Sequence, residues 1–245
     1  MSVNLRDRLD AGGTAAIGLW ASIPSALTAE AAALAGPDYV VCDQQHGALD
    51  PATLMAMLTA IAGAGVPPLV RVARNEPFAI GQALDLGAGG VIVPMVESGE
   101  EAARAVSACR YAPEGTRSFG ALRANPYPPA QRPLCLVMVE TRRGLENAAE
   151  IAATPGLDGI YVGPSDLALS LGLQPTIRLE HPPVLEALAV VHAACADAGV
   201  IAGVHCLAAE DVPAQAERFA MVTAGGDTLL LAGAVAQALR VARGT

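Results

Sequence analysis

The chain contains no lysine: all 15 of its basic residues are arginine. Schiff-base aldolase chemistry, a pyridoxal phosphate (PLP) anchor and a Walker phosphate loop each need a lysine amine, so all three are excluded. Carbanion chemistry here would need a metal or another cofactor as its electron sink. The formal net charge is −9, which argues against nucleic acid or an anionic membrane surface as partner. A small anionic substrate stays open, provided one or two arginines focus the local field. No apolar run approaches the ~18 residues that suggest a membrane span. Met1 to Arg8 lacks the apolar core of a signal peptide, so a cytoplasmic location is expected. The five cysteines (Cys42, Cys109, Cys135, Cys195 and Cys206) form no CxxC pair and sit mostly in apolar runs. Buried free thiols are expected, not a disulfide framework or a zinc site.

What is present is apolar material in a regular order. Apolar residues make up 53% of the 245 and charged residues 16%, enough for one large domain over residues 1–245. One unit recurs: an apolar run, a short turn, then an Ala/Leu-rich amphipathic stretch. The runs are Ala15–Ser22, Tyr39–Gln45, Pro68–Ala73, Gly90–Val96, Leu134–Thr141, Leu157–Val162, Val200–Cys206 and Met221–Ala224. The spacing predicts helices near Ser25–Ala35, Pro51–Ala64, Pro77–Leu86, Gly99–Arg110, Leu145–Ala153, Pro183–Ala198, Val212–Phe219 and Thr228–Arg243, with Asp50 and Ser98 as N-caps. A short turn is expected at Ser165–Leu171, and a Pro-rich connection runs from Pro113 to Pro133. Eight strand–helix pairs indicate a (β/α)8 TIM barrel. The competing doubly wound sheet would carry a Gly-rich dinucleotide turn after its first strand, and Ser22-Ile-Pro-Ser25 is not one; no nucleotide is expected. The eighth helix is apolar over more than one face, which suits either packing on another subunit or deep burial in its own barrel.

Barrel active sites lie at the C-terminal ends of the strands. The polar residues of this chain fall there: Trp20 and Ser22, Asp43 to His46, Arg71, Pro94-Met95, Glu140, Gly163 to Asp166, His205, and Gly225 to Asp227. Glu140 and Asp166 each end an apolar run and lie 26 residues apart, about one strand–helix unit. Two carboxylates at the same end of neighbouring strands suggest a hard-metal site. His46 is the best general acid/base candidate, its alternative being a capping histidine. Arg71, in an otherwise buried strand, needs an anionic partner: a substrate carboxylate or enolate, or a salt bridge inside the barrel mouth. Asp85, late in its helix, reads from spacing as a surface aspartate, or as a group that orients His46. The Gly163-Pro164-Ser165-Asp166 turn offers free amides to a carboxylate. His205 reads as structural.

These residues together resemble the HpcH/HpaI family of metal-dependent aldolases, of the phosphoenolpyruvate/pyruvate barrel type. The matching motifs are Asp43-x-x-His46-Gly47, Val70-Arg71, Leu84-Asp85-x-Gly87-Ala88, Val93-Pro-Met-Val96, Arg110-Tyr111-x-Pro113-x-Gly115-x-Arg117, Val139-Glu140-Thr141, and Asp158-Gly159-x-Tyr161-x-Gly163-Pro164-x-Asp166-Leu167. The resemblance implies Glu140 and Asp166 as ligands of Mg²⁺, Mn²⁺ or Co²⁺. It implies His46 as the catalytic histidine, Asp85 as its acidic partner, and Arg71 as the group on the keto oxygen. Trp20, Met95, Gly163, Pro164 and Ser165 complete the expected substrate site. The implied reaction is reversible cleavage of 4-hydroxy-2-keto acids to pyruvate or hydroxypyruvate plus an aldehyde. The implied assembly is a homohexamer, a trimer of dimers that exchange the last helix. An acyl-CoA lyase and a non-catalytic binding barrel are the alternatives. The chain departs from the family in having Gln45 where Glu is usual, Met138 where Gln is common, and a short segment between Arg117 and Leu134.

Overall fold

The computed structural model describes residues 5–120 and 132–244; part of the Pro-rich connection expected at 113–133 lies outside them. Eight strands alternate with helices: β1 (Ala16–Ala21), β2 (Tyr39–Asp43), β3 (Pro68–Arg71), β4 (Gly90–Val93), β5 (Leu134–Val139), β6 (Gly159–Val162), β7 (Ile201–Cys206) and β8 (Met221–Gly226). Each pairs in parallel with the next, and β8 closes onto β1. The result is the expected closed (β/α)8 barrel.

Side chains along a strand alternate between faces, and here the alternation produces two separate cores. Trp20, Tyr39, Val41, Leu69, Ile92, Leu134, Leu136, Met138, Tyr161 and Met221 form one cluster, which fills the barrel. Val40, Cys42, Val70, Val91, Val93, Val137, Val162 and Val204 belong to the other, between strands and helices. Two large rings in a narrow barrel require glycine across from them. A Cβ on Gly18 would overlap the Tyr39 ring, and one on Gly203 the Tyr161 ring. The hydroxyls satisfy each other in that dry interior: Tyr39 Oη lies 3.3 Å from Tyr161 Oη, which also pairs with Thr223 Oγ1.

The helices follow their sequence signals. α2 (Ala26–Leu34) starts after Ser25, α3 (Pro51–Gly63) after Asp50 and α5 (Gly99–Ala108) after Ser98, each cap oxygen accepting a backbone N–H three residues on. α4 is Pro77–Asp85. The single helix expected at Leu145–Ala153 is two: α6 (Arg142–Glu146) and α7 (Ala148–Ala152). They break at Asn147, whose amide donates to the Glu97 carbonyl at 2.7 Å. The turn expected after Ser165 is a helix, α8 (Pro164–Ser170), followed by α9 (Pro182–Ala198) and α10 (Val212–Ala216). An N-terminal helix that the periodicity does not reveal, α1 (Leu5–Ala11), places Leu5 in the barrel's inner cluster. All five cysteines are buried and free. No helix among the described residues is long and apolar enough to cross a membrane.

The last helix, α11 (Asp227–Arg243), does not take the place of an eighth barrel helix. Every residue from 228 to 244 is exposed, including Leu229, Leu230, Leu231, Val235, Leu239 and Val241. Deep burial in its own barrel, one of the two sequence readings, is therefore corrected. A cavity of about 600 Å³ lies between β1 and α2, lined by Ile17, Leu19, Ala31, Ala32, Ala35 and the base of α11.

Candidate active site

The site is the top layer of the barrel interior, where the inward-facing positions turn polar. A cavity of about 180 Å³ is lined by Trp20, His46, Arg71, Met138, Glu140, Gly163, Pro164, Ser165, Asp166, His205 and Leu207. The parallel register puts Asp43 beside Arg71 on adjoining strands. Their side chains form a two-pronged pair, Arg71 Nε to Asp43 Oδ1 at 2.8 Å and Nη2 to Oδ2 at 2.6 Å. Both are nearly inaccessible to solvent. The salt bridge in the barrel mouth is thus real. It engages two of five guanidinium N–H donors, and Arg71 still lines the cavity.

Asp43 also organises the turn that follows β2. Its Oδ1 accepts the Gln45 N–H at 3.0 Å and the His46 N–H at 3.4 Å. Burial pushes the Asp43 carboxyl up, but Arg71 and these two amides outweigh it and hold the pKa below the ordinary value. His46 sits exposed at the rim, positioned through its backbone. Sequence reasoning placed Asp43 on the polar rim and in a motif but gave it no role. Its cue was a carboxylate at the end of a buried strand beside an arginine at the end of the next.

Glu140 is almost wholly buried. Its Oε1 accepts the Met95 N–H at 2.7 Å, while Oε2 is buried with no hydrogen-bond partner among the described residues. Burial raises its pKa to about 7; the Met95 N–H opposes this, and the charge of Asp166 adds to it. An uncompensated buried carboxylate beside a second one is a site for positive charge. Gly163 keeps that corner open, since a Cβ there would press on Glu140 Oε2 and lie 2.9 Å from the Met138 methyl. Two oxygen ligands suit a hard divalent cation that keeps water or substrate in its remaining positions. Among the described residues no group of three or more His, Cys, Asp or Glu side chains could hold a metal ion.

The remaining expected residues divide. Trp20, Gly163, Pro164 and Ser165 line the cavity. Met95 contributes its backbone, held at φ 57°, a left-handed conformation uncommon outside glycine and favoured at functional turns. Its side chain lines a neighbouring cleft with Gln45, Arg74 and Arg104. Asp85 is engaged elsewhere: its Oδ1 accepts from Arg117 Nη2 at 2.6 Å, and the guanidinium lies over the Tyr111 ring. No hydrogen bond joins Asp85 to His46 among the described residues. Met138 belongs to the barrel's inner cluster and lines the cavity. His205, read from sequence as structural, lines the cavity as well.

Residues 16–233 match the family model described as HpcH/HpaI aldolase/citrate lyase. A hydroxypyruvate/pyruvate aldolase of Rhizorhabdus wittichii is 38% identical over 239 residues, 94% of this chain and 95% of that protein. A 5-keto-4-deoxy-D-glucarate aldolase of Salmonella paratyphi A is 42% identical over 165 residues; that alignment spans 64% of each chain. Among solved structures, an HpcH/HpaI aldolase/citrate lyase family protein from Burkholderia cenocepacia superposes with a TM-score of 0.90 at 35% identity. It covers 98% of this chain and 100% of that one.

Proposed function

Because the chain belongs to the HpcH/HpaI aldolase/citrate lyase family and is an aldolase, we propose that it works with a divalent cation on 4-hydroxy-2-keto acids. It cleaves them to pyruvate or hydroxypyruvate plus an aldehyde, and runs the reverse addition. The observation that carries this reading is Glu140 Oε2, buried beside Asp166 and without a hydrogen-bond partner among the described residues. Glu140 and Asp166 would hold the cation, which supplies Lewis-acid stabilisation of enolate charge. The Ser165 and Asp166 N–H groups would donate to the carboxylate of the keto acid. Arg71, braced by Asp43, keeps N–H donors for the keto oxygen as negative charge develops there, without reorganising. In cleavage, His46 takes the C4 hydroxyl proton, the C3–C4 bond breaks, and its electron pair becomes the enolate as the aldehyde leaves. The enolate then takes a proton at C3 to give the free 2-keto acid. In synthesis that C3 proton is removed, the enolate carbon attacks the aldehyde, and His46 returns its proton to the new C4 oxygen. An acyl-CoA substrate fits less well: at the neighbouring rim Arg74 and Arg104 pair with Glu76, Glu100 and Glu101 rather than standing free for CoA phosphates.

The test is cleavage of a 4-hydroxy-2-keto acid with metal as the variable. EDTA abolishes turnover and Mn²⁺ or Mg²⁺ restores it. Glu140→Ala and Asp166→Ala lose metal in equilibrium dialysis, whereas His46→Ala keeps metal and loses rate. Turnover that survives complete chelation refutes the reading.

The exposed α11 and the apolar cavity beside α2 support an oligomer in which α11 of one subunit covers that cavity on another. Leu231→Glu with Leu239→Glu then shifts the particle to monomer in sedimentation velocity. Unchanged sedimentation refutes the exchange.

A further inference from the structure

Of the titratable side chains lining the cavity, His205 alone has no part in the chemistry proposed above. Its ring packs edge-on against Trp20, with centroids 4.7 Å apart and an interplanar angle of 63°. Nδ1 is buried and has no hydrogen-bond partner among the described residues. Burial, and then the charge of Arg71, lower its pKa to about 4 against the opposing charge of Asp43, so near pH 7 the ring is neutral and carries one proton. A buried N–H without an acceptor is rarer in proteins than an unpaired acceptor. The proton therefore belongs on Nε2, on the edge of the ring left to meet the cavity.

The proposed reading, on which this inference rests, accounts for most of a 2-keto acid. The Glu140–Asp166 corner and Arg71 take the carboxylate and keto oxygen, and His46 handles the proton at C4. What remains is the substituent on C3. Trp20, Met138, Pro164 and Leu207 make most of the rest of the lining apolar, with Ser165 at the start of α8 its remaining hydroxyl, and the apolar part suits the bare C3 methyl of pyruvate. A C3 hydroxyl set against Trp20, Met138 and Leu207, away from Ser165, would be stripped of water without replacement unless His205, packed on Trp20, supplies a partner. We propose that the Nε2–H of His205 donates a hydrogen bond to a C3 hydroxyl, so that the site selects hydroxypyruvate over pyruvate as the enolate-forming 2-keto acid. A neutral donor suits a hydroxyl and adds no further charge beside Arg71. Sites that hydrogen-bond a substrate hydroxyl discriminate well, because the analogue lacking it leaves a buried group unpaired.

Trp20 is the only tryptophan in the chain and touches His205, so its fluorescence reports binding directly. Mn²⁺-loaded wild type, His205→Leu and His205→Gln are titrated with hydroxypyruvate and with pyruvate, and kcat/KM is measured for both acids with one aldehyde. His205→Leu loses about 5- to 100-fold in hydroxypyruvate affinity and kcat/KM, the range for an unpaired buried hydrogen-bonding group. Its pyruvate values fall by a smaller factor, so that the hydroxypyruvate-to-pyruvate ratio of kcat/KM drops by about 5-fold or more; an unchanged circular dichroism spectrum shows that the variant folds, and His205→Gln recovers most of the ratio. Equal losses for both acids, or no loss for either, overturn the assignment of His205. Failure of the wild-type protein to bind either acid overturns the substrate reading itself.

Discussion

Glu140 should make the metal-free protein less stable as the pH rises. Its pKa is raised from 4.5 to about 7, chiefly by burial. Between those values the folded state binds a proton that the unfolded state has released, so stability falls as pH climbs through the window. The full effect is about 3 kcal/mol, of which about 2–3 kcal/mol develops between pH 5 and 8. Glu140→Gln keeps an oxygen for the Met95 N–H and removes the titration. Urea denaturation in EDTA at a series of pH values measures both proteins. The wild type loses ground against the variant by about 2–3 kcal/mol from pH 5 to 8, or roughly 4–12 °C in Tm at this chain length. The difference in slope isolates Glu140 from every other titrating group and from how well the new amide packs. Added Mn²⁺ at 100 times its Kd then restores about 2.7 kcal/mol to the wild type and little to the variant. Parallel stability curves for the two proteins across this range refute the account of Glu140 as an uncompensated buried acid.

Asp43→Asn leaves the buried Arg71 guanidinium without its anion, at a cost of about 3–5 kcal/mol, read by denaturation. Because the Asp43 pKa is lowered in the fold, its stabilisation is present at neutral pH and is lost as the pH drops below the ordinary carboxylate value; the variant's deficit therefore shrinks in acid. Gly163→Ala crowds Glu140 Oε2 and the Met138 methyl, and calorimetry should show at least tenfold weaker Mn²⁺ binding with the circular dichroism spectrum unchanged. Gly203→Ala meets the Tyr161 ring inside the barrel and should lower Tm by several degrees, through overpacking of about 1–3 kcal/mol.

How far the sequence reaches depends on the length scale of the interaction. Strand–helix alternation, Asp50 and Ser98 as caps, and a rim of polar residues at the strand ends are local patterns, so they are legible one residue after another. The missing lysine is a matter of composition and needs no coordinates. Glu140 and Asp166 can be grouped from spacing, because one strand–helix unit returns the chain to the same end of the barrel.

Contacts across the barrel are set by register and shear, which no local pattern records. The pairing of Asp43 with Arg71 joins adjoining strands, and Asp85 meets Arg117 across 32 residues; spacing alone pointed Asp85 to His46 or to solvent. His205 looked structural because an imidazole in an apolar run is silent about which face of the strand it occupies. The apolar pattern of α11 fits a buried helix and an exchanged one equally well, and only the direction in which the chain leaves β8 separates them. Sequence thus determined the barrel, the exclusion of Schiff-base chemistry and the carboxylate pair. The tertiary structure decided which of those groups are already satisfied, and it left Glu140 Oε2 and His205 Nδ1 buried without partners among the described residues, because satisfaction depends on neighbours brought together from distant strands.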